Sequence, residues 1–209
     1  MMTPLTPTDD APRLHTRRRE LIWHSATLGS MEHFEWYSRA GRTHWQGVVV
    51  LPIDEQPAHI VYRIEIDQEW RTRWVEVTIH QAGRLRRMEL EADDSGRWTG
   101  FGGVLTELAG CIDIDLGWSP VTNTLPIRRV PLAVGESATI EAAWIRFPEL
   151  VVQRSAQTYE RIARDVWQYR SNGFSADLLV DEDGLVRRYG DDVWVYTAAT
   201  ATRAEDSTR

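Results

Sequence analysis

Period-two alternation constrains this chain more than any other feature. Ile60, Tyr62, Ile64 and Ile66 alternate with Val61, Arg63, Glu65 and Asp67. Val75, Val77 and Ile79 alternate with Trp74, Glu76, Thr78 and His80, and Ile112, Ile114 and Leu116 alternate with Cys111, Asp113 and Asp115. Successive side chains of a strand point to opposite faces, so each run predicts a strand buried on one side. Further strands are expected over 18–26, 33–37, 43–51 and 85–91, then over 139–147, 175–180, 185–189 and 193–196. Asp94-Ser95-Gly96, Asn172-Gly173 and Asp181-Glu182-Asp183-Gly184 supply turns between them. Strands so closely spaced, without clear helices between them, predict an all-β antiparallel meander rather than βαβ units. One segment stays open: Tyr159, Ile162, Ala163 and Val166 have helical spacing, yet residues 157–165 also alternate acceptably as a strand.

A sheet of ten or more strands tends to curl or close, and it then encloses either a packed core or a ligand cavity. The ten Trp serve either outcome. They fill a core, or they line a wall for a lipid or a sugar. The 209 residues suit one domain, expected over 17–197, with disordered tails rich in Thr, Pro, Ala and charge at 1–16 and 198–209.

Charge and chemistry narrow the function. All 24 basic residues are Arg, so neither a Schiff-base lysine nor a phosphate-loop lysine exists. A net charge of -7 argues against nucleic acid as a partner. The clusters Arg17–Arg19 and Arg84, Arg86 and Arg87 sit among acids and read as solvated strand faces. No apolar run approaches the roughly 18 residues of a membrane-spanning helix. The opening residues lack the basic start and apolar centre of a secretory signal, which predicts a cytoplasmic location. A single Cys111 excludes an internal disulfide and any multi-cysteine metal site, and is expected to be a small buried residue. The six His are scattered, and no Gly-x-Ser-x-Gly, His-Glu-x-x-His or Gly-rich phosphate loop occurs. No cofactor and no metal centre are assigned.

The candidate site is the stretch from Gly110 to Arg129. Asp113 and Asp115 share one strand face, with Cβ atoms about 7 Å apart. Such a pair suits a divalent cation, an acid and base couple, or ion pairs with Arg128 or Arg129. Ser119-Pro120 and Asn123-Thr124 form turns, and Leu125-Pro126 biases the chain to an extended path. The loop either returns the chain to the sheet or offers amide and guanidinium groups to a polar headgroup. Arg would there bind phosphate or carboxylate as a planar fork.

Several runs resemble the bacterial putative glycolipid-binding family, formerly a domain of unknown function. They are Gly110–Leu116, Ser119-Pro120 with Thr122–Arg129, Ala143–Leu150, and Gln157-x-Tyr159. Phe174-x-Ala176-x-Leu178-x-Val180-Asp181, Gly184-Leu185-Val186-x-x-Tyr189 and Trp23 complete the match, which spans roughly 21–196. The resemblance implies a single strongly curved antiparallel sheet, a spiral β-roll or half-barrel with few or no helices, similar to envelope lipoprotein carriers. It implies a strand for 157–165. It also implies a non-enzymatic binder of a glycolipid or other amphiphile in the concavity of the sheet. On that reading Asp113, Asp115, Asn123, Arg128 and Arg129 orient the headgroup, with Trp118 and Trp144 beside it. The competing expectations are an enzyme on a sugar or lipid using Asp113 and Asp115, and a module whose exposed edge binds a protein.

Overall fold

A computed structural model of the chain describes residues 18–191 and 193–202. The tail expected over 1–16 and residues 203–209 of the other lie outside them. The first wing holds β1 (Arg18–Ser25), β2 (Ser30–Arg39), β3 (Arg42–Ile53), β4 (Gln56–Ile66), β5 (Thr72–Gln81) and β6 (Arg84–Ala92). The short β7 (Trp98–Gly100) and β8 (Gly103–Val104) follow at its edge. The second wing holds β9 (Asp113–Leu116), β10 (Ser137–Arg146), β11 (Val151–Arg161), β12 (Val166–Ser171), β13 (Phe174–Val180), β14 (Val186–Tyr189) and β15 (Trp194–Thr202).

These strands form one sheet in the order β8-β7-β6-β5-β4-β3-β2-β1-β15-β14-β13-β12-β11-β10-β9. The sheet is not closed. It is strongly bent all the same: Arg86 of β6, near one edge, donates from Nη1 to the carbonyl of Pro148, beside the β10–β11 hairpin near the other, at 2.7 Å. The all-β expectation with very few helices holds, and of the ambiguous segment residues 157–161 belong to strand β11 while 162–165 form the bend that leads into β12. β15 runs past the expected boundary at 197, because residues 198–202 pair with β1 from Ile22↔Ala198 to Arg18↔Thr202. The three alanines there have weak strand preference and are drawn in with their threonine neighbours by a partner strand.

Among the described pairings, β9 with β10 is the parallel one. Parallel neighbours need a crossover, which here includes a 3₁₀ turn (Val121–Asn123) and the helix α1 (Thr124–Arg129). The expected extended path at Leu125-Pro126 is therefore replaced by helix. Pro126 is the third residue of α1, where a backbone N–H would lack an intrahelical partner in any case, and Leu125 gains full burial.

The alternation read along β9 is a partition. Ile114 and Leu116 point into a large core that joins Trp23, Phe34, Trp45, Ile60, Val77 and Trp98 from the first wing. Each fully buried aliphatic side chain there contributes roughly 1.5–3 kcal/mol. Asp113 and Asp115 point the other way, in register with Ala142 and Trp144 of β10. The residues after β8, including Leu108, Cys111, Trp118, Val121 and Leu125, pack into the same large core and fill the hollow of the first wing. Cys111 is buried, and burial pushes its thiol up to about 11.

Candidate ligand-binding cavity

The second wing keeps a hollow. A cavity of about 370 Å³ lies between the sheet and the crossover segment. Asp115, Trp144, Ser155, Tyr169, Ser171, Phe174 and Tyr189 line it from the sheet, while Gly117, Ser119 and Asn123 line it from the segment. Leu28 and Phe174 are exposed and mark its mouth, with Val193 and Trp194 alongside. The size is at the lower end of the roughly 300–1,000 Å³ of small-molecule sites. Gly117 is needed where the segment meets β10: a Cβ there would sit 3.1 Å from the Ile145 carbonyl and from Trp144 Nε1.

A hydrogen-bonded floor holds the polar groups. Gln157 Nε2 donates to Asp115 Oδ2 at 2.6 Å, and Thr122 Oγ1 lies 3.4 Å from Asp115 Oδ1. The Tyr159 hydroxyl donates to Asn123 Oδ1 at 2.9 Å, and Asn123 Nδ2 donates to the Pro120 carbonyl at 3.0 Å. A carboxylate offers about four lone-pair positions, so Asp115 retains acceptor capacity toward the cavity. Burial raises its pKa to about 6, with the bonds from Gln157 and Thr122 opposing the rise. The aromatic side is a ring cluster. Tyr169 lies 5.3 Å from Tyr159 and 6.3 Å from Tyr189, and Phe174 stacks on Tyr189 at 6.3 Å and 21°.

The expected site residues separate. Asp115, Asn123 and Trp144 line the cavity. Asp113 is buried and accepts from Arg129 through Nε at 3.2 Å and through a close Nη2 contact. Arg128 turns elsewhere, because adjacent helical residues do not share a face. Its guanidinium lies 4.2 Å from the Trp70 ring centroid, and Nη1 donates to the Asp183 carbonyl at 2.8 Å. Asp183 also receives Arg19, which binds Asp181 at 2.8 Å as well. Trp118 is fully buried in the large core beside Phe147.

The two carboxylates thus face separate partners rather than a shared ion. Among the described residues no group of three or more His, Cys, Asp or Glu is placed to hold a metal. The sequence reading missed Tyr169, Phe174, Tyr189, Ser155 and Ser171 as wall residues. Their signal is the alternation itself: Ser155, Gln157 and Tyr159 occupy the buried positions of β11, where a packed strand would carry aliphatics.

Ser119 links the cavity to a second carboxyl, also unforeseen. Its Oγ donates to Glu32 Oε1 at 2.8 Å, and the Tyr62 hydroxyl donates to the same oxygen. Glu32 is fully buried without a cation, and burial raises it to about 8 against those two bonds. Tyr62 reaches it by passing over Gly47, where a Cβ would come within 2.4 Å of the phenol ring.

Two wider grooves hold none of the expected residues. One of about 600 Å³ runs between β6 and Leu150 with Val152, and one of about 700 Å³ lies beside His59 and His80. Neither sets buried polar groups against stacked rings as the 370 Å³ cavity does.

Comparison with known proteins agrees with this architecture. A family model described as "Putative glycolipid-binding" matches residues 20–193. The crystal structure of a DUF1089 family protein from Pseudomonas aeruginosa superposes with a TM-score of 0.69 at 33% identity. The alignment covers 78% of this chain and 89% of that one. No curated protein matches the sequence.

Proposed function

The chain belongs to that glycolipid-binding family, and from this premise we propose that it binds an amphiphile whose sugar headgroup enters the cavity of the second wing. One observation carries the reading. The same 370 Å³ space presents stacked aromatic faces on one side and Asp115 and Asn123 on the other. Sugars have apolar C–H faces and hydroxyl edges, and this wall answers both. The exposed Leu28 and Phe174 at the mouth give an attached alkyl chain an apolar way out.

Holding the ligand, rather than transforming it, is the role we assign. Asp113 is occupied by Arg129, so the pair is not arranged as the acid and base of a hydrolase. Calorimetric titration with octyl glucoside, octanol and glucose tests the proposal. Saturable binding of octyl glucoside, tighter than that of either fragment, is the expected outcome. Octanol binding as tightly as the glycoside, or no saturable binding of the glycoside, would overturn it. No helix among the described residues is long and apolar enough to cross a membrane.

A further inference from the structure

We infer that the cavity selects a sugar headgroup carrying no negative charge, with Asp115 as the residue that turns anionic headgroups away. The inference rests on the binding reading above and deepens it. The sequence alone pointed the other way, toward an Arg fork for phosphate or carboxylate. The fold withdraws both candidate cations from the space. Arg129 is spent on Asp113, and Arg128 is clamped between Asp183 and the Trp70 ring.

What remains on the wall is one acid. Among the described residues lining the cavity there is no Arg and no His, and the chain has no Lys. Arg146 lies beyond Trp144 along β10, 5.9 Å from its ring centroid, and is ion-paired with Glu149 at 3.6 Å. An anionic group entering the floor would meet the Asp115 carboxylate without a compensating cation, in a space where charges are poorly screened. Hydroxyl groups face no such cost. They donate to the free lone pairs of Asp115 and of the Ser155 and Ser171 hydroxyl oxygens, whose own protons are held between the two serines and on the Ala156 carbonyl. An aminated sugar would gain a charge-assisted bond at the same carboxylate.

Two probes that share a chain and a ring isolate the charge: octyl glucoside and octyl glucuronide, titrated below their micelle concentrations into the full chain at pH 7.5. The glucuronide is expected to bind at least about tenfold more weakly, as one uncompensated like charge requires. Asp115→Asn should narrow that gap at least threefold, about 0.65 kcal/mol by the tenfold constant, the ratio of the two dissociation constants being read within the variant. Equal or tighter binding of the glucuronide by the unaltered protein overturns the inference and leaves glycolipid binding standing. Absence of binding by either glycoside removes both. The comparison on the unaltered protein decides the matter even if the Asn variant fails to fold.

Discussion

The two wings of this sheet are built on the same alternation and end in opposite states. The inner positions of β3, β4 and β5 carry Trp45, Ile60, Ile64, Val75, Val77 and Ile79, which Leu108 and Cys111 before β9 and Trp118 after it meet in the same core. The inner positions of β11 and β12 carry Ser155, Gln157, Tyr159, Tyr169 and Ser171. Aliphatic inner faces close on whatever apolar segment is offered to them. Hydroxyls, amides and broad rings have bonds to satisfy and cannot interdigitate as tightly, so a space persists. The second wing is itself partly filled, by Trp167, Leu178, Val180 and Val186 with Ile127 and Leu132 packed against them, and the space remains beside that cluster where the polar inner positions lie.

Substitutions can break this contrast, and the filled wing should respond most. Trp118→Ala removes a fully buried indole from the large core and should cost about 3–5 kcal/mol, read as a fall in the urea midpoint. A cost below about 1 kcal/mol would mean that this hollow is loosely packed. Gly47→Ala drives a methyl group into the Tyr62 ring and should cost about 3 kcal/mol, the upper range for overpacking, since the phenol must leave Glu32.

The next effect is one of pH. Glu32 has a folded pKa of about 8, above its ordinary value of 4.5, so the folded protein keeps a proton that the unfolded chain has lost. Stability should then fall as pH rises through that window, by about 1.4 kcal/mol per unit. Asp115 adds to this only below about 6, so the interval from about 6.5 to 8 isolates Glu32. Across it the native protein should lose about 2 kcal/mol, whereas Glu32→Gln should be nearly flat. Parallel slopes would deny that a neutral acid sits in the filled wing.

The open wing should give the smallest change in stability and a larger one in binding. Phe174 is half exposed at the mouth, so Phe174→Ala should alter folding by about 0.5 kcal/mol or less. Its loss should weaken octyl glucoside binding roughly threefold to tenfold, the worth of one aromatic contact. A fall in stability with unchanged affinity would make Phe174 a packing residue and shrink the contrast.

Much of this was legible in the sequence, for physical reasons. The strands of the first wing follow from local alternation, which needs no knowledge of partners. β11 was undecided because its pattern fits two periods, and pairing with β10 settles it. The Asp113–Arg129 pair was among the sequence alternatives, since the two opposite charges lie close together in the chain. The direction of Arg128 was hidden, because it depends on a six-residue helix whose strand-like Leu-Pro pair masked it. Glu32 was invisible as a site neighbour, since its partners Tyr62 and Ser119 reach it from 30 and 87 residues away. Trp118 looked like a wall residue only because sequence does not tell the two sides of the β9 partition apart.

The place of β1 and β15 has a consequence for how the chain assembles. Among the described residues they are the first and last strands in sequence, yet they are neighbours in the sheet and join the wings. Each wing is built almost wholly from adjacent hairpins, which close over short loops and form fast. The joint waits for residues 194–202, since Arg18 pairs with Thr202. Until β15 arrives, β1 and β14 each present a bare edge, the configuration most open to pairing with another molecule. Translation therefore finishes the seam last, and a chain cut before Trp194 would expose two sticky edges in the middle of its own sheet.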